Sequence, residues 1–329
     1  MARSILISGI QPSGRLHIGN YLGALKNFVE LQNSGKYECY FFIADYHSLT
    51  GDFDERKQSE QTIDLAASFM AAGLDAKKST LFIQSEVPRT IELSLILSSL
   101  ITAMGDLERM TQFKEKGENR PRAKVGLFTY PILMTADIIL YDAEFVPVGD
   151  DQLQHLELAR EIVRKFNNRF GKTFVEPKPI LTKAPRVMSL NDPGKKMSKS
   201  QPEGCLFLDD EPEVIKKKIS RAVTDSGNEV KFDEKKKAGI ANLMRVYQGI
   251  THKAFADIEA EFRGRNYSAF KTALGDIIAK HLEPFRTKKA ELTKNQKVVR
   301  AAFDAGAKVA SAKAKKKMAA VKKAIGLTL

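Results

Sequence analysis

Two short stretches of this chain hold residues suited to handling phosphate. The later one is Lys195-Lys196-Met197-Ser198-Lys199-Ser200, which follows the turn Asp192-Pro193-Gly194. Lysines at 196 and 199 act as point charges, and the hydroxyls of Ser198 and Ser200 add donors, so together they can surround phosphate oxygens. Taken alone, the stretch reads equally as a solvated basic loop. The earlier one runs from Ser8 to Asn20 and contains Gly9, Gln11, Pro12, Ser13, Gly14, His17 and Gly19. It follows the apolar run Ser4 to Ile7 and opens into Tyr21 to Leu31, where apolar residues recur at helical spacing. A strand therefore feeds a glycine-rich turn and then a helix start, which presents free N–H groups and a positive dipole end to an anion. It is not a Walker loop, because Asn20-Tyr21 stands where a Lys-Ser/Thr pair would reach the phosphates and metal.

The pair formed by His17-Ile18-Gly19-Asn20 and Lys196-Met197-Ser198-Lys199-Ser200 resembles the paired signatures of the class I aminoacyl-tRNA synthetases. The wider sequence is similar to the tryptophanyl-tRNA synthetases, in segments from Ser8 to Ala24, Leu81 to Pro88, Glu108 to Lys114, Thr129 to Tyr141, Val146 to Gln152, Met188 to Ser200 and Ala222 to Ser226. The resemblance implies activation of L-tryptophan by ATP to the adenylate and pyrophosphate, followed by transfer to the 3′ end of tRNA(Trp). It implies that Gln11, Pro12, Ser13, Gly19 and Asn20 line one side of the ATP. Gly149, Asp150 and Asp151 would meet the ribose, Val187 the adenine, and Lys196, Met197, Ser198, Lys199 and Ser200 the phosphates. Lys196, Lys199 and His17 are the catalytic candidates, with Mg²⁺ carried in by ATP and pyrophosphate rather than by a protein metal site. His17 also has a purely structural reading as the capping residue of the helix start. Two positions depart from the family pattern: Asp150-Asp151 where Glu-Asp is commoner, and His17 where many bacterial relatives have Thr.

The chemistry itself asks for no protein base. The attacking carboxylate is ionised at neutral pH, so alignment and neutralisation of developing phosphate charge remain. Specificity rests on Asp137 in the apolar helical stretch Met134 to Tyr141, where an unpaired carboxylate would be costly. Its partner is either an Arg, Lys or backbone donor or, as the resemblance implies, the donor-only indole N–H of tryptophan. Tyr130, Met134, Val146 and Val148 would then form apolar walls, with Ile7 and His47 nearby and Gln152 near the amino-acid end.

Positioning these groups requires an α/β fold. Strand patterns at 4–7, 39–44, 80–84 and 144–148 alternate with helical patterns at 52–72, 90–105, 130–141 and 149–169, which predicts an open, Rossmann-type parallel sheet with ligands at the carboxyl ends of its strands. Residues 1–208 form this catalytic domain. Only helical patterns follow, so 209–329 is an all-α domain that the resemblance assigns to the tRNA anticodon. The basic loop 114–124 receives no chemistry. The chain has 329 residues, 43% of them hydrophobic, and a formal charge of +13. From Arg286 onward there are 13 basic residues and 2 acidic ones, a surface for RNA or merely a solvated helix face. Cys39 and Cys205 lack metal-ligand spacing and read as free thiols of a reducing, cytoplasmic setting. No apolar run is long enough to span a membrane. The resemblance further implies a homodimer. Competing readings are a tyrosyl-tRNA synthetase, a small-molecule nucleotidyltransferase and a catalytically silent RNA-binding paralogue.

Overall fold

A computed structural model describes residues 3–51, 53–111, 124–181 and 186–328. The basic loop, apart from Lys124, lies outside the described residues. Strand β1 (Ser4–Ile10) leads through the glycine turn into helix α1 (Ile18–Asn20), a π-helical turn (Tyr21–Leu25) and α2 (Lys26–Asn33). Then come β2 (Tyr37–Ile43), the short α3 (Asp45–Ser48), α4 (Glu55–Ala71) and β3 (Ser79–Ile83). Asp54 starts α4 by accepting the N–H of Arg56 at 3.1 Å, as a side-chain N-cap should. Helices α5 (Arg89–Leu100) and α6 (Met104–Glu108) precede α7 (Val125–Ile139), β4 (Phe145–Val148), α8 (Leu153–Phe170) and β5 (Lys178–Leu181).

The strands form one parallel sheet in the order β3-β2-β1-β4-β5. The order reverses between β1 and β4, so the crevice beyond their carboxyl ends is where such a sheet takes a ligand. Buried residues alternate between the two faces with the period of two that a strand imposes. Cys39, Phe41 and Ile43 face one core, while Tyr40, Phe42 and Ala44 face the other.

Helices α9 (Pro212–Arg221), α10 (Ala238–Thr251), α11 (Phe255–Glu261), α12 (Tyr267–Lys294) and α13 (Gln296–Ala324) complete the chain. The first core runs from the sheet without a break into this helical part through Ile215, Leu243 and Phe270. The final helix, α13, leaves its neighbours and lies along β3, α4 and α5, covering the edge of the sheet that would otherwise offer an open strand. Gly306 permits that approach, because a Cβ there would stand 1.9 Å from the carbonyl oxygen of Leu81.

This docking changes the reading of the basic tail. Lys317 is not a free surface cation: its Nζ lies 2.5 Å from Asp142 Oδ1 and donates to the Thr173 carbonyl at 2.7 Å. Lys322 pairs with Glu92, and Lys289 is buried between Asp64 and Asp209. Part of the positive charge counted in the sequence is therefore spent inside the molecule. Lys315 and Lys316 remain exposed.

Candidate active site

The glycine turn is held by its own histidine. His17 sits at the N-cap of α1, where its Nδ1 accepts the N–H of Asn20 at 3.3 Å while its own N–H donates to Asn20 Oδ1 at 3.2 Å. Burial, then the charges of Lys199 and Lys196, push the imidazole down to a pKa of about 4. It is neutral at pH 7, and with Nδ1 accepting, Nε2 must carry the proton. The capping reading is therefore correct, and it leaves one ring N–H to present to an anion. Gly19 leaves room for it, since a Cβ there would crowd the ring at 3.0 Å.

The cationic stretch is one arm of a small hairpin. Ser189 donates to the Lys195 carbonyl at 2.8 Å and Met197 to the Val187 carbonyl at 3.1 Å, around the turn at 192–194. Met197 is buried as an anchor, which leaves Lys196 and Ser198 exposed on either side of it. Ser198 and Ser200 share a hydrogen bond at 2.9 Å. Lys199 folds onto the glycine turn, donating to Ser13 Oγ at 3.1 Å and to the Gly14 carbonyl at 3.0 Å. Burial lowers its pKa to about 8. The base of the hairpin is clamped from the helical part: Asn242, buried on α10, accepts the N–H of Met188 at 2.8 Å and donates to its carbonyl at 2.9 Å.

Beside this rim, between the ends of β1 and β4, lies a cavity of about 320 Å³. Ile7, His47, Tyr130, Met134, Asp137, Val146, Val148 and Gln152 all line it, together with Gly149 and Gln11. The volume suits a small organic ligand. Asp137 is buried at the wall, brought there by α7. Its Oδ2 lies 2.8 Å from His47 Nε2, and the amide of Gln84 donates to Oδ1 at 2.7 Å and Oδ2 at 2.9 Å. Burial pushes the carboxyl's pKa up, and the two donors oppose that rise. Its internal partners are thus a histidine and an amide, neither the Arg or Lys nor the backbone group anticipated. Tyr130 Oη is 2.6 Å from His155 Nε2, and Gln152 donates to Asp151 at 3.0 Å. Asp150 and Asp151 stand exposed in a 3-10 turn that begins after Gly149, at the outer rim.

The structure thus sets Ile7, Gln11, His47, Tyr130, Met134, Asp137, Val146, Val148, Gly149 and Gln152 around one cavity, and separately joins Lys199 to the glycine turn at Ser13 and Gly14. Gln84 and Asn242 were missed. Gln84 follows β3 directly, and a strand's carboxyl end was a sufficient signal to consider it. Asn242 gave no signal, because a polar residue in a helical pattern reads as an exposed face.

Residues 1–283 match the family described as tRNA synthetases class I (W and Y). The chain is 45% identical over 327 residues to the tryptophan–tRNA ligase of Caldanaerobacter subterraneus subsp. tengcongensis, covering 98% of each. Among solved structures, the tryptophanyl-tRNA synthetase of Mycoplasma pneumoniae superposes with a TM-score of 0.87 at 34% identity, covering 100% of this chain and 99% of that one. That of Campylobacter jejuni, complexed with ADP and tryptophan, gives 0.83 at 35% identity and coverage of 98% and 99%.

Proposed function

The chain belongs to the class I tRNA synthetases for tryptophan and tyrosine, and from that membership we propose how its residues divide the work of a tryptophan–tRNA ligase. The enzyme activates L-tryptophan with ATP to tryptophanyl-adenylate and pyrophosphate, then transfers tryptophan to the 3′ end of tRNA(Trp). The indole enters the cavity between β1 and β4, with Tyr130, Met134, Val146 and Val148 as walls and its N–H on Asp137. Ile7 and His47 complete the pocket, and Gln152 faces the amino-acid end. The observation that carries this assignment is a buried carboxylate at the wall of a largely apolar cavity, since a donor-only substrate group is what such an oxygen accepts.

ATP lies across the adjoining rim. Gln11, Pro12, Ser13, Gly19 and Asn20 line one side of it, Gly149, Asp150 and Asp151 take the ribose, and Val187 takes the adenine. Lys196, Met197, Ser198, Lys199 and Ser200 enclose the phosphates. Lys196 and Lys199 neutralise charge on the reacting phosphorus and departing pyrophosphate, and His17 offers its Nε2–H without adding charge. Around the phosphates the chain supplies lysines, hydroxyls and an imidazole. That donor set suits oxyanions, and Mg²⁺ enters as the nucleotide's own counter-ion.

Residues 1–208 act as the catalytic domain and 209–329 as the helical part that meets the tRNA anticodon, with α13 returning to brace the sheet. No described helix is long and apolar enough to cross a membrane, and the reaction belongs in the cytoplasm. A second copy of the chain covers the apolar face of α5 and its surroundings. Ile91 and Leu95 share one side of that helix, and Leu95, Met104 and Val125 are 66%, 70% and 76% exposed. Sedimentation tests this: Leu95→Arg should yield a monomer.

Amino-acid-dependent exchange of pyrophosphate into ATP, run with all twenty amino acids, tests the activity and the pocket. Exchange with tryptophan alone, falling about 100-fold in Asp137→Ala, is the expected result. Exchange with tyrosine instead would overturn the substrate assignment.

A further inference from the structure

Gln84 lies in the 3-10 turn Gln84–Glu86 at the end of β3, is 1% exposed, and does not line the cavity. Its contacts determine which way its amide points. Oε1 accepts the N–H of Tyr46 at 3.0 Å, while Nε2 meets both oxygens of Asp137. The reverse orientation would press the amide oxygen against two carboxylate oxygens and the NH₂ against a backbone N–H, so only one arrangement is chemically sound. The other carboxylate nearby, Asp45, is turned away to the N–H groups of Tyr46 and Ser85, at 3.1 and 3.0 Å.

The consequence lies in how donors are shared between the two oxygens of Asp137. Oδ2 receives Gln84 and His47, which uses both of its acceptor directions. Oδ1 receives Gln84 alone, and no other described residue donates to it. Counting the described residues, one acceptor direction remains, and it is on Oδ1.

We propose that Gln84 is a positioning residue for substrate selection, holding Asp137 as a carboxylate whose open acceptor on Oδ1 takes the ring N–H of the substrate. This rests on the reading of Asp137 as the indole partner. The amide acts twice. It supplies a donor, shared between both oxygens, that favours the charged, acceptor-only form of a fully buried carboxylate, and by bridging those oxygens it blocks rotation of the carboxylate. A substrate ring of the same shape without an N–H would leave Oδ1 unsatisfied, and a buried charged acceptor lacking its donor is heavily penalised.

The test compares tryptophan with 3-benzothienylalanine, in which sulfur replaces the N–H, by pyrophosphate exchange with the full-length enzyme. Gln84→Met removes both functions of the amide. Gln84→Glu keeps the size and the acceptor for Tyr46 but turns a second carboxylate oxygen towards Asp137. In each variant the ratio of kcat/KM for tryptophan over the analogue should fall about 10- to 100-fold, with the KM for ATP within about threefold of wild type. A ratio unchanged in either soluble variant, or an equal loss with both amino acids and ATP, overturns the proposal. If Gln84→Met fails to fold, Gln84→Glu decides alone. Asp137→Asn separates the two levels of the argument. An unchanged ratio there refutes the reading of Asp137 itself, whereas a lowered ratio beside wild-type ratios in both Gln84 variants refutes only the role of Gln84.

Discussion

Raising the pH should disarm the nucleotide site through Lys199. Its ammonium is drawn from solvent onto Ser13 and the Gly14 carbonyl, and burial brings its pKa to about 8. The depressed value means that the folded enzyme holds this proton less firmly than an exposed lysine does. Protonated Lys199 is the form that neutralises phosphate, so kcat/KM for ATP, which reports the free enzyme, should fall as pH rises through about 8. One pH unit above the pKa leaves roughly a tenth of the ammonium, so the loss by pH 9 should be about tenfold. Bound ATP surrounds the amine with negative charge and raises its pKa, so the corresponding limb in kcat should move to higher pH. His17, with its pKa near 4, contributes nothing to this limb. The assay is tryptophan-dependent pyrophosphate exchange from pH 6 to pH 10, in wild type and in Lys199→Arg, whose guanidinium stays charged throughout. The limb should vanish in the arginine variant. A wild-type profile flat to pH 10, or a limb that survives Lys199→Arg, would refute the assignment.

Other expectations follow from single contacts. Lys317→Met should cost about 1.5–3 kcal/mol of stability, read from denaturant midpoints, because it strips a half-buried ion pair and a charged hydrogen bond. Lys315→Met with Lys316→Met should leave stability within about 0.5 kcal/mol while weakening tRNA binding and flattening its salt dependence; equal behaviour of the three lysines would contradict the docking of α13. Asn242→Leu orphans a backbone N–H and a carbonyl at Met188. It should raise the KM for ATP about tenfold while tryptophan affinity, measured by equilibrium titration, stays near wild type. His17→Asn keeps an N-cap where His17→Ala loses one, so Asn should retain about 1 kcal/mol more stability. If the ring N–H touches phosphate, both variants should lose the same fraction of the activation rate.

Several features were legible in the sequence because their causes are local. The strand, glycine turn and helix at residues 4–31 follow from hydrophobic period and capping chemistry, and the alternation of strands with helices follows from the same patterns along the first half of the chain. The costliness of Asp137 in an apolar helix marked it without any partner in view. Boundaries shifted where a pattern ran past its chemistry. The helical run predicted from 90 to 105 breaks after Leu100 and restarts at Met104, and β1 continues to Ile10 because β2 pairs with it throughout.

Which residues had chemistry to offer, and which segments were helix or strand, could be read along the chain, since both depend on residue type and on neighbours a few positions away. Which residues meet across the chain is a matter of packing. Lys199 reaches Ser13 across 186 positions, and Asp137 is served by His47 and Gln84 from two other elements. Lys317 is tied down while Lys315 and Lys316, on the same helix, stay in solvent. These outcomes depend on how a parallel sheet stacks its strand ends and on the rotational phase at which α13 lies against β3. Both are set by packing between distant segments, whose energy no local pattern records.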